Sequence, residues 1–506
     1  MPRRVGGGAW AQAGAKLGTA MRGIGQRPST AALALAAFGL ACGDDAAPEP
    51  VAVHGPGQDA AVLVDGATPP VPVRPDDPRF PAADQQITLP PGERVTVSLR
   101  LDAGVGALDV QLSIDTTESM SEEIDNLQRE LSQSIVPGLL DRVADVRFGV
   151  SRFEDFPAAP FGFAGDALGN PADTPFRLLT PITDDRARVS SAVASLDRPL
   201  GSGGDVPEAS AEALWQIATG EGYRAGSETI VEPFESSRAS SSDGEPIGGV
   251  GFRAHALRVV LHVTDAPSHA PRDYAGVFAD THSLEQAATA LKEIDTRIVG
   301  IVTRPCVDDA CDTGDPQARR DLELVAFATD TIAPVNDDEL CPHGVDGTDV
   351  QPYRGVCPLV YDVRDDGSHL SDTLVDAIAA LVDSVRFGEV HGEPNADPLG
   401  FVQSIVAVQV PQDRGVETPT AADALPVDAP DGILDTFRDV RRKAALRFDV
   451  TLMNRNVTPS DVAQRFRVVV RIVGDGVVLQ ERVLRVIVPP FGSATVDASV
   501  ADADGG

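Results

Sequence analysis

Asp115-Thr116-Thr117-Glu118-Ser119 joins an apolar strand pattern to the beginning of an amphipathic helix pattern. Asp115, Thr117 and Ser119 stand at alternate positions of this loop, so their oxygen atoms can all point at one spot. Mg²⁺ prefers oxygen ligands in octahedral geometry. Two of these three ligands are neutral hydroxyls, which leave the charge of the ion under-compensated and attractive to an anionic group on another molecule. The stretch therefore predicts a metal-dependent binding site.

Strand and helix patterns alternate on both sides of this loop, from about residue 108 to residue 388. Residues 110–114 and 259–263 are apolar strand patterns, and residues 124–135 place Ile and Leu on one helix face. This alternation predicts an α/β domain with a doubly wound, mostly parallel sheet that is covered on both faces. Ligands bind such sheets at the carboxyl ends of the strands, where the Asp115 loop would lie.

Two segments of this region have less regular patterns. Pro207 is suited to the first turn of a helix, and the apolar positions through Ile217 predict a helix that starts there. Residues 227–249 are polar and rich in Ser, which predicts a surface loop.

Alternating strand patterns flank the α/β region. They occupy residues 86–107 and much of 400–500, where Gly474-Asp475-Gly476 forms a hairpin signal between two β runs. The later strands are too few for a complete β-sandwich. We therefore expect the early strands to complete it, with the α/β domain inserted in the sandwich or flanked by it.

The N-terminus carries a targeting signal in residues 1–42, and Met21 is a plausible start. Basic residues precede an apolar run that ends at Cys42 and is too short to cross a membrane. Small residues before a single cysteine resemble the bacterial lipoprotein cleavage site. This predicts a lipid anchor on Cys42, followed by a disordered tether over 43–85. The alternative is an ordinary cleaved signal peptide in which Cys42 is incidental.

The resemblance to lipoproteins implies an exported cell-envelope protein, in the outer membrane or on the cell surface of a Gram-negative bacterium. The membrane would be a partner only through the lipid anchor. The length of 506 residues predicts two or three domains. The 76 acidic and 42 basic residues sum to a formal charge of -34, which argues against nucleic acid as a partner and is compatible with divalent cations.

Four cysteines remain beyond Cys42, and an even number in an exported chain suggests two disulfides. Nearest-neighbour pairing would join Cys306 to Cys311 and Cys341 to Cys357, although four cysteines allow three connectivities. A zinc site that uses these residues and His343 is the alternative. The sequence lacks the Cys-x-x-Cys or paired-His spacing typical of such sites.

Two further acidic clusters are expected at the same sheet edge as Asp115. One contains Asp205 and Glu208 in a Gly-rich segment, and the other contains Asp265 directly after an apolar strand. Each alone is compatible with helix capping or with a favourable helix dipole. Together, oxygen-bearing side chains from three loops favour a metal site.

These motifs carry a resemblance to a known family. Asp115-x-Thr117-x-Ser119-Met120 resembles the metal-ion-dependent adhesion motif of von Willebrand factor A domains, and most closely that of the I-like domain of integrin β subunits. The motifs that support it follow in order over roughly 280 residues: 147–150 (RFGV), 153–157 (FEDFP), 179–185 (LTPITDD), 205–208 (DVPE) and 263–266 (VTDA).

The resemblance implies three cation sites. The central Mg²⁺ would be held by Asp115, Thr117, Ser119 and Glu208, with Asp265 reaching it through water. An adjacent Ca²⁺ would use Glu122 and Glu123, where the family has Asp. A third cation site would use Asp155, Asp205, the Pro207 carbonyl and Glu208, with Gly203 in place of the family's Asn. The alternative for Glu122 and Glu123 is that they lie in a first helical turn and complement the helix dipole.

Other acidic residues give weaker signals. Asp308, Asp309 and Asp346, in the cysteine-bounded loops, are compatible with Ca²⁺ but more typical of solvated loops. Asp428, Asp431 and Asp435 suggest a calcium loop, although Ala429 breaks the alternation of ligands.

The sequence predicts a binding protein and not an enzyme. His262 and His269 have no nucleophile motif to serve, and residues 201–204 (GSGG) lack the Lys of a phosphate loop. By the family's mechanism, an exposed Asp or Glu of a protein partner would complete the Mg²⁺ coordination. The loops 154–175 and 227–249 would select that partner. The alternatives are a structural envelope lipoprotein whose cations only stabilise loops, and a hydrolase with an unrecognised site.

Overall fold

A computed structural model describes residues 85–168, 170–197, 199–234, 245–307, 310–311, 316–425 and 431–492. The signal peptide, the lipidation of Cys42 and nearly all of the predicted tether lie outside these residues. Asp308, Asp309 and Asp428 lie outside them as well. The predictions for these parts of the chain remain predictions.

The strands of the described residues are numbered in chain order. They are β1 (Gln85–Thr88), β2 (Arg94–Asp102), β3 (Ala107–Asp115), β4 (Asp145–Phe153), β5 (Arg177–Thr183), β6 (Tyr223–Ala225), β7 (Glu228–Val231), β8 (Leu257–Thr264), β9 (Thr296–Arg304), β10 (Cys306–Val307), β11 (Ala310–Cys311), β12 (Ile332–Ala333), β13 (Cys357–Pro358), β14 (Val360–Arg364), β15 (Arg386–Ala396), β16 (Val402–Ala407), β17 (Thr420–Ala422), β18 (Thr436–Arg441), β19 (Ala445–Met453), β20 (Gln464–Gly474) and β21 (Val477–Val488). The helices are α1 (Ser121–Glu130), α2 (Val136–Leu140), α3 (Arg186–Val193), α4 (Ser210–Thr219), α5 (Pro271–Tyr274), α6 (Leu284–Glu293), α7 (Pro316–Ala328) and α8 (Leu370–Ser384).

Six strands form the central sheet in the order β14-β9-β8-β3-β4-β5. Only the edge strand β5 runs antiparallel to its neighbour; the other pairs are parallel. The mostly parallel α/β sheet predicted from the sequence is therefore confirmed. Strand β3 lies inside the sheet between β8 and β4, so the loop after it opens at the middle of the carboxyl edge.

Alternate residues of the central strands enter two separate hydrophobic clusters, because successive side chains of a strand point to opposite faces. Val259 and Leu261 of β8 pack with α1 and α8, whereas Val260 packs with α4, α6 and α7. Helices cover both faces, as expected for a doubly wound sheet. Strand β3 is buried throughout, so its polar residues must find partners inside the protein.

The flanking strands form two further sheets. One has the order β1-β21-β20-β15-β18-β17, and the other has the order β16-β19-β2. Strand β2 pairs antiparallel with β19 along its whole length, and β1 pairs parallel with β21. Strands from before and after the α/β region thus share largely antiparallel sheets. The strands that follow the α/β region begin with β15 at Arg386 and not near residue 400.

Three local predictions differ from the structure. Helix α4 begins at Ser210, and Pro207 precedes it, because the backbone of Glu208 bonds to the neighbouring loop. The Ser-rich segment is not all loop: β7 pairs with β6, and Val231 is buried. The helix expected over 124–135 is α-helical only to Glu130. A π-helical turn over 131–135 then connects it to α2.

Two disulfides join nearest neighbours, Cys306 with Cys311 and Cys341 with Cys357. This is the predicted pairing. Oxidised sulfurs are not zinc-binding thiolates, and His343 instead contacts the carbonyl of Pro358, so the alternative zinc site is wrong. Among the described helices, none has the length and apolar content needed to cross a membrane.

Candidate metal centre

Oxygen-bearing loops converge at the carboxyl edge of the central sheet. Asp115 is the last residue of β3 and Thr264 is the last residue of β8, its neighbour. Backbone bridges from Gly201 and Glu208 hold the segment before α4 in the same place. The first two segments meet here because parallel strands end at a common edge, and the third is held there by these two bridges.

Hydroxyl groups organise Asp115, whose side chain is fully buried. The Thr117 hydroxyl donates to Oδ1 at 2.8 Å, and the Thr264 hydroxyl donates to Oδ2 at 2.7 Å. The hydroxyl oxygens of Thr117 and Ser119 lie 3.1 Å apart. Ser119 is exposed, so this group of oxygens reaches from the buried carboxylate to the surface.

Asp265 lies against the same turn. Burial raises its pKa, and a hydrogen bond from the Ser119 hydroxyl opposes this only in part. Burial also raises the pKa of Asp115, and the charge of Asp265 raises it further. Two neighbouring carboxyl groups with raised pKa values show that placing negative charge here is costly without a compensating cation.

Glu208 adds a third acidic group. Its backbone N–H donates to the carbonyl of Pro267, and its own carbonyl accepts from the N–H of His269. Burial raises the pKa of the Glu208 side chain to about 11, and the negative charges that raise it further belong to Asp115, Asp155, Asp265 and Asp173. Glu208 Oε2 is buried without a hydrogen-bond partner. An orphaned carboxylate oxygen among like charges fits a position for a cation.

Gly203 sits beside this carboxylate with a φ of +57°. A Cβ at residue 203 would lie 2.9 Å from Glu208 Oε1. An Asn side chain, which the integrin resemblance expects here, would have to displace Glu208. Glycine therefore fits both the backbone conformation and the space that Glu208 occupies.

The residues of the central site fit Mg²⁺. All of the contributing atoms are hydroxyl or carboxylate oxygens, as a hard divalent cation prefers. The predicted set of Asp115, Thr117, Ser119, Glu208 and Asp265 is close enough for hydrogen bonds or direct charge interaction between its members. The orphaned Glu208 oxygen provides an independent reason for an ion at this place.

The two glutamates predicted for the adjacent Ca²⁺ point to different environments. Glu122 is exposed, whereas the side chain of Glu123 is buried. Burial raises the pKa of Glu123 to about 8, against a smaller opposing effect of the Thr303 hydroxyl, and the charges of Asp265 and Asp365 raise it further. Neither Glu123 oxygen has a well-aligned hydrogen-bond partner among the described residues. Glu123 therefore fits a cation site better than Glu122 does.

Asp155 and Asp205 meet around a histidine. Nε2 of His269 lies 3.1 Å from Asp155 Oδ2 and 3.1 Å from Asp205 Oδ1, and its aligned hydrogen bond is with Asp205. Burial lowers the pKa of His269, but the two carboxylates outweigh this effect and raise it to about 9. The hydroxyl of Tyr274 and the N–H of Phe156 donate to the other oxygen of Asp155. One ligand atom from each member of the Asp/Asp/His group lies within 4.8 Å of the others, so the group could hold a metal.

The weaker acidic candidates for Ca²⁺ binding make contacts within the protein instead. Asp346 forms an ion pair with Arg364, which is typical of a structural contact. Asp431 accepts from the N–H of Ile433, and Asp435 accepts from the N–H groups of residues 424 and 425. These two carboxylates stabilise their own loop. The described part of that loop therefore gives no support to a calcium site.

His262 is a core residue, as expected from its place in β8. It is fully buried, stacks on Phe153, and contacts the hydroxyls of Ser113 and Ser210 at 3.1 and 3.0 Å. Burial lowers the pKa of His262 to about 3, so the ring is neutral and links β3 to α4.

Three residues of the centre are absent from the predicted cation ligands. His269 follows Asp265 by four residues, and a search for nitrogen ligands near the predicted oxygens would have found it. Asp365 is brought to Glu123 only by the fold. Asp173 accepts from the N–H groups of Phe163, Ser202 and Gly203, and nothing in its local sequence indicates this bridging role.

Comparisons with known proteins add structural likenesses at low identity. No protein-family model and no curated protein matches the sequence. Among solved structures, the chain is similar to a von Willebrand factor type A protein from Catenulispora acidiphila, with 13% identity and a TM-score of 0.30 over 81% of this chain and 72% of that one.

Two other likenesses cover less of the matched protein. The open conformation of the pilus adhesin SpaC from Lactobacillus rhamnosus GG shows 11% identity and a TM-score of 0.30, over 79% of this chain and 45% of that one. Proximal thread matrix protein 1 from the mussel byssus shows 11% identity and a TM-score of 0.27, over 56% of this chain and 48% of that one. We assign the fold from the strand order and not from these likenesses.

Proposed function

We propose that this chain is a surface-anchored, metal-dependent binding module that attaches to an acidic group of a partner protein. In this proposal Asp115, Thr117, Ser119 and Glu208 hold a Mg²⁺ ion, and Asp265 supports it through water. The observation that carries the proposal is the orphaned, buried Glu208 oxygen in a cluster of carboxyl groups with raised pKa values. The sequence resemblance to the adhesion motif supports the same assignment.

The chemistry of the site suits an acidic ligand. A bound Mg²⁺ supplies positive charge, and two of its proposed ligands are uncharged hydroxyls. Ser119 lies at the exposed edge of the cluster, so a carboxylate from outside could approach on that side. Because Asp115 and Glu208 are buried, the chain itself holds the far side of the ion.

Two segments that contribute residues to the centre also carry exposed apolar side chains. The side chain of Leu168, in the 154–175 loop, is 90% exposed, and that of Val206, next to Asp205, is 68% exposed. The base of the 154–175 loop is anchored to the centre: the Thr116 hydroxyl and the Thr174 N–H both donate to Glu154. We propose that this loop selects the partner while its base remains fixed.

Export and lipid anchoring are part of the proposal. Two disulfides are compatible with an oxidising compartment. The cysteine of the N-terminal signal would tether the mature chain to the cell envelope of a Gram-negative bacterium. Ca²⁺ at Glu123 would be a second, adjacent ion.

The test is capture of partners by the purified chain in Mg²⁺ or in EDTA, compared with an Asp115→Ala variant. We expect a set of proteins to be retained only in Mg²⁺ and to be lost with Asp115→Ala, since the variant removes the buried anionic ligand of the ion. Asp125→Ala is the matched control. Asp125 is exposed on α1, so this substitution removes the same charge at a position outside the site.

Two results would contradict the proposal. One is retention of the same partners by folded Asp115→Ala protein. The other is a chain whose melting temperature falls on chelation while attachment to every partner and surface stays unchanged. The second result would favour a structural envelope protein whose cations only stabilise loops. Circular dichroism of each variant separates loss of binding from loss of folding.

A further inference from the structure

The Asp155–Asp205–His269 group contains a nitrogen ligand that is absent from the third cation site implied by the family resemblance, where Ca²⁺ would be the expected ion. Its three inward atoms are one imidazole nitrogen and two carboxylate oxygens, and the nitrogen lies 3.1 Å from each oxygen. Asp155 is fully buried, and its Oδ2 atom has no aligned hydrogen bond. Among the described residues, the polar contact of this oxygen is the one with the His269 ring, so a metal ion that replaced the ring proton would meet both atoms.

The group fits Ca²⁺ poorly. Ca²⁺ takes six to eight oxygen ligands, whereas one Asp155 oxygen is already occupied by Tyr274 and Phe156. Gly203 contributes no side chain, and a longer residue there would meet Glu208. His269 supplies a nitrogen in place of one of the oxygens that Ca²⁺ prefers.

The same group fits a smaller divalent transition metal. Imidazole nitrogen and carboxylate oxygen are both ligands of Zn²⁺, at about 2.0–2.2 Å in four-coordinate geometry, and imidazole favours Zn²⁺, Co²⁺ and Ni²⁺ over Ca²⁺. Ligand atoms around a tetrahedral ion of that size lie about 3.3 Å apart. The two nitrogen–oxygen distances are 3.1 Å, and the two carboxylate oxygens lie within 4.8 Å of each other. Asp205 is exposed, which leaves an approach for the ion and for a fourth ligand from water.

We propose that Asp155, Asp205 and His269 form a second metal site, which takes a divalent transition metal of the Zn²⁺ class and rejects Ca²⁺. The proposal is independent of the attachment to a partner, because the proposed central Mg²⁺ ligands (Asp115, Thr117, Ser119 and Glu208) include none of its three residues. The new site lies beside Glu208, so its charge also offsets part of the acidic cluster.

The test uses the purified chain without a histidine tag at pH 8, where protons compete less for the imidazole nitrogen. Zn²⁺ and Ca²⁺ are titrated separately by calorimetry in the presence of Mg²⁺, and Co²⁺ is used for its visible absorption. We expect one Zn²⁺ site that Ca²⁺ does not displace. We also expect a Co²⁺ spectrum typical of nitrogen and oxygen ligation.

Variants identify the ligands. His269→Asn is expected to weaken Zn²⁺ binding by more than about 100-fold, since loss of a direct ligand exceeds the 10–100-fold effect of an outer partner. Asp205→Asn is expected to weaken it as well, and its exposed position makes loss of folding a poor explanation. His391 lies on β15, outside the α/β region. The control variant His391→Asn is therefore expected to leave the affinity for Zn²⁺ unchanged.

Several outcomes would overturn the proposal. If Ca²⁺ bound this group with the same affinity as Zn²⁺, the group would be the calcium site that the family resemblance implies. Zn²⁺ binding that survives both His269→Asn and Asp205→Asn would place the metal elsewhere. Absence of any transition-metal binding would mean that the ring alone bridges the two carboxylates as an ion pair. Loss of partner capture in Asp115→Ala with Zn²⁺ binding retained would leave the proposal standing, so its failure and that of the proposed function are distinguishable.

Discussion

Asp109 and Asp115 lie on the same face of β3, six residues apart, and both are fully buried. At Asp109, the backbone N–H of Arg253 donates to Oδ2 at 2.6 Å and the guanidinium Nε donates to Oδ1 at 2.8 Å. At Asp115, the donors are hydroxyl groups and one backbone N–H, and the neighbouring charge is that of Asp265.

Burial raises the pKa of both carboxyl groups, and their neighbours then act in opposite directions. Arg253 lowers the pKa of Asp109, whereas Asp265 raises that of Asp115. A buried charge is costly unless it is paired or coordinates a metal. At the amino edge of the sheet, Asp109 is paired with Arg253 within the chain. At the carboxyl edge, the charge of Asp265 instead raises the pKa of both Asp115 and Glu208. The comparison therefore distinguishes a structural ion pair at Asp109 from a candidate cation-binding site at Asp115.

The largest expected effect comes from breaking the internal pair. Arg253→Met leaves Asp109 buried without its partner, so we expect the free energy of unfolding to fall by about 3–5 kcal/mol. Urea unfolding followed by circular dichroism measures this change, and Mg²⁺ should not alter it.

Asp115→Asn is the matched variant at the other edge. In EDTA it removes a charge from an uncompensated cluster, so we expect a stability equal to or above that of the unmodified chain. If Asp115→Asn lowered the free energy of unfolding as much as Arg253→Met, both carboxylates would be paired within the chain, and the contrast between the two edges would be wrong.

Per pH unit, a smaller effect is expected from raising the pH of the metal-free chain. Glu208 has an ordinary pKa of 4.5 when unfolded and one of about 11 when folded, so the unfolded chain releases its proton first. Its stabilising contribution is complete below pH 4.5 and is lost as pH rises toward 11, by up to about 1.4 kcal/mol per pH unit for one such group. The raised pKa of Asp115 acts in the same direction.

This predicted loss of stability with rising pH is tested by measuring the melting temperature at several pH values, in EDTA and in saturating Mg²⁺. We expect a fall with pH in EDTA and a smaller fall in Mg²⁺, because the ion compensates the ionised carboxylates. Parallel profiles in the two conditions would argue against an ion at Glu208.

The smallest contrast compares two adjacent glutamates of α1. Glu122→Gln changes an exposed side chain, and we expect less than about 0.5 kcal/mol of change in stability. Glu123→Gln changes a buried one with orphaned oxygens, so we expect it to abolish the stabilisation by Ca²⁺ at the adjacent site. Calcium titrations that follow melting temperature measure both variants. Equal responses to Ca²⁺ in the two variants would contradict the assignment to Glu123.

Much of the central site could be predicted from local sequence. Asp115, Thr117 and Ser119 lie within one turn, and their spacing alone brings their oxygens together. Strand periodicity placed Asp265 at the same sheet edge. The start of α4 was less predictable, because the backbone of Glu208 bonds to the loop after β8 instead of forming a first helical turn.

Local sequence was enough to predict the alternation that makes a mostly parallel sheet, the strands on either side of it, and the oxygen-rich turn after β3. These features depend on short-range periodicity and on residues that are neighbours in the chain. The three-dimensional fold was needed to establish that His269 lies between Asp155 and Asp205, that Glu123 is buried while Glu122 is not, and that Arg253 neutralises Asp109. Burial and charge pairing depend on which distant segments pack together, and spacing along the chain does not specify this.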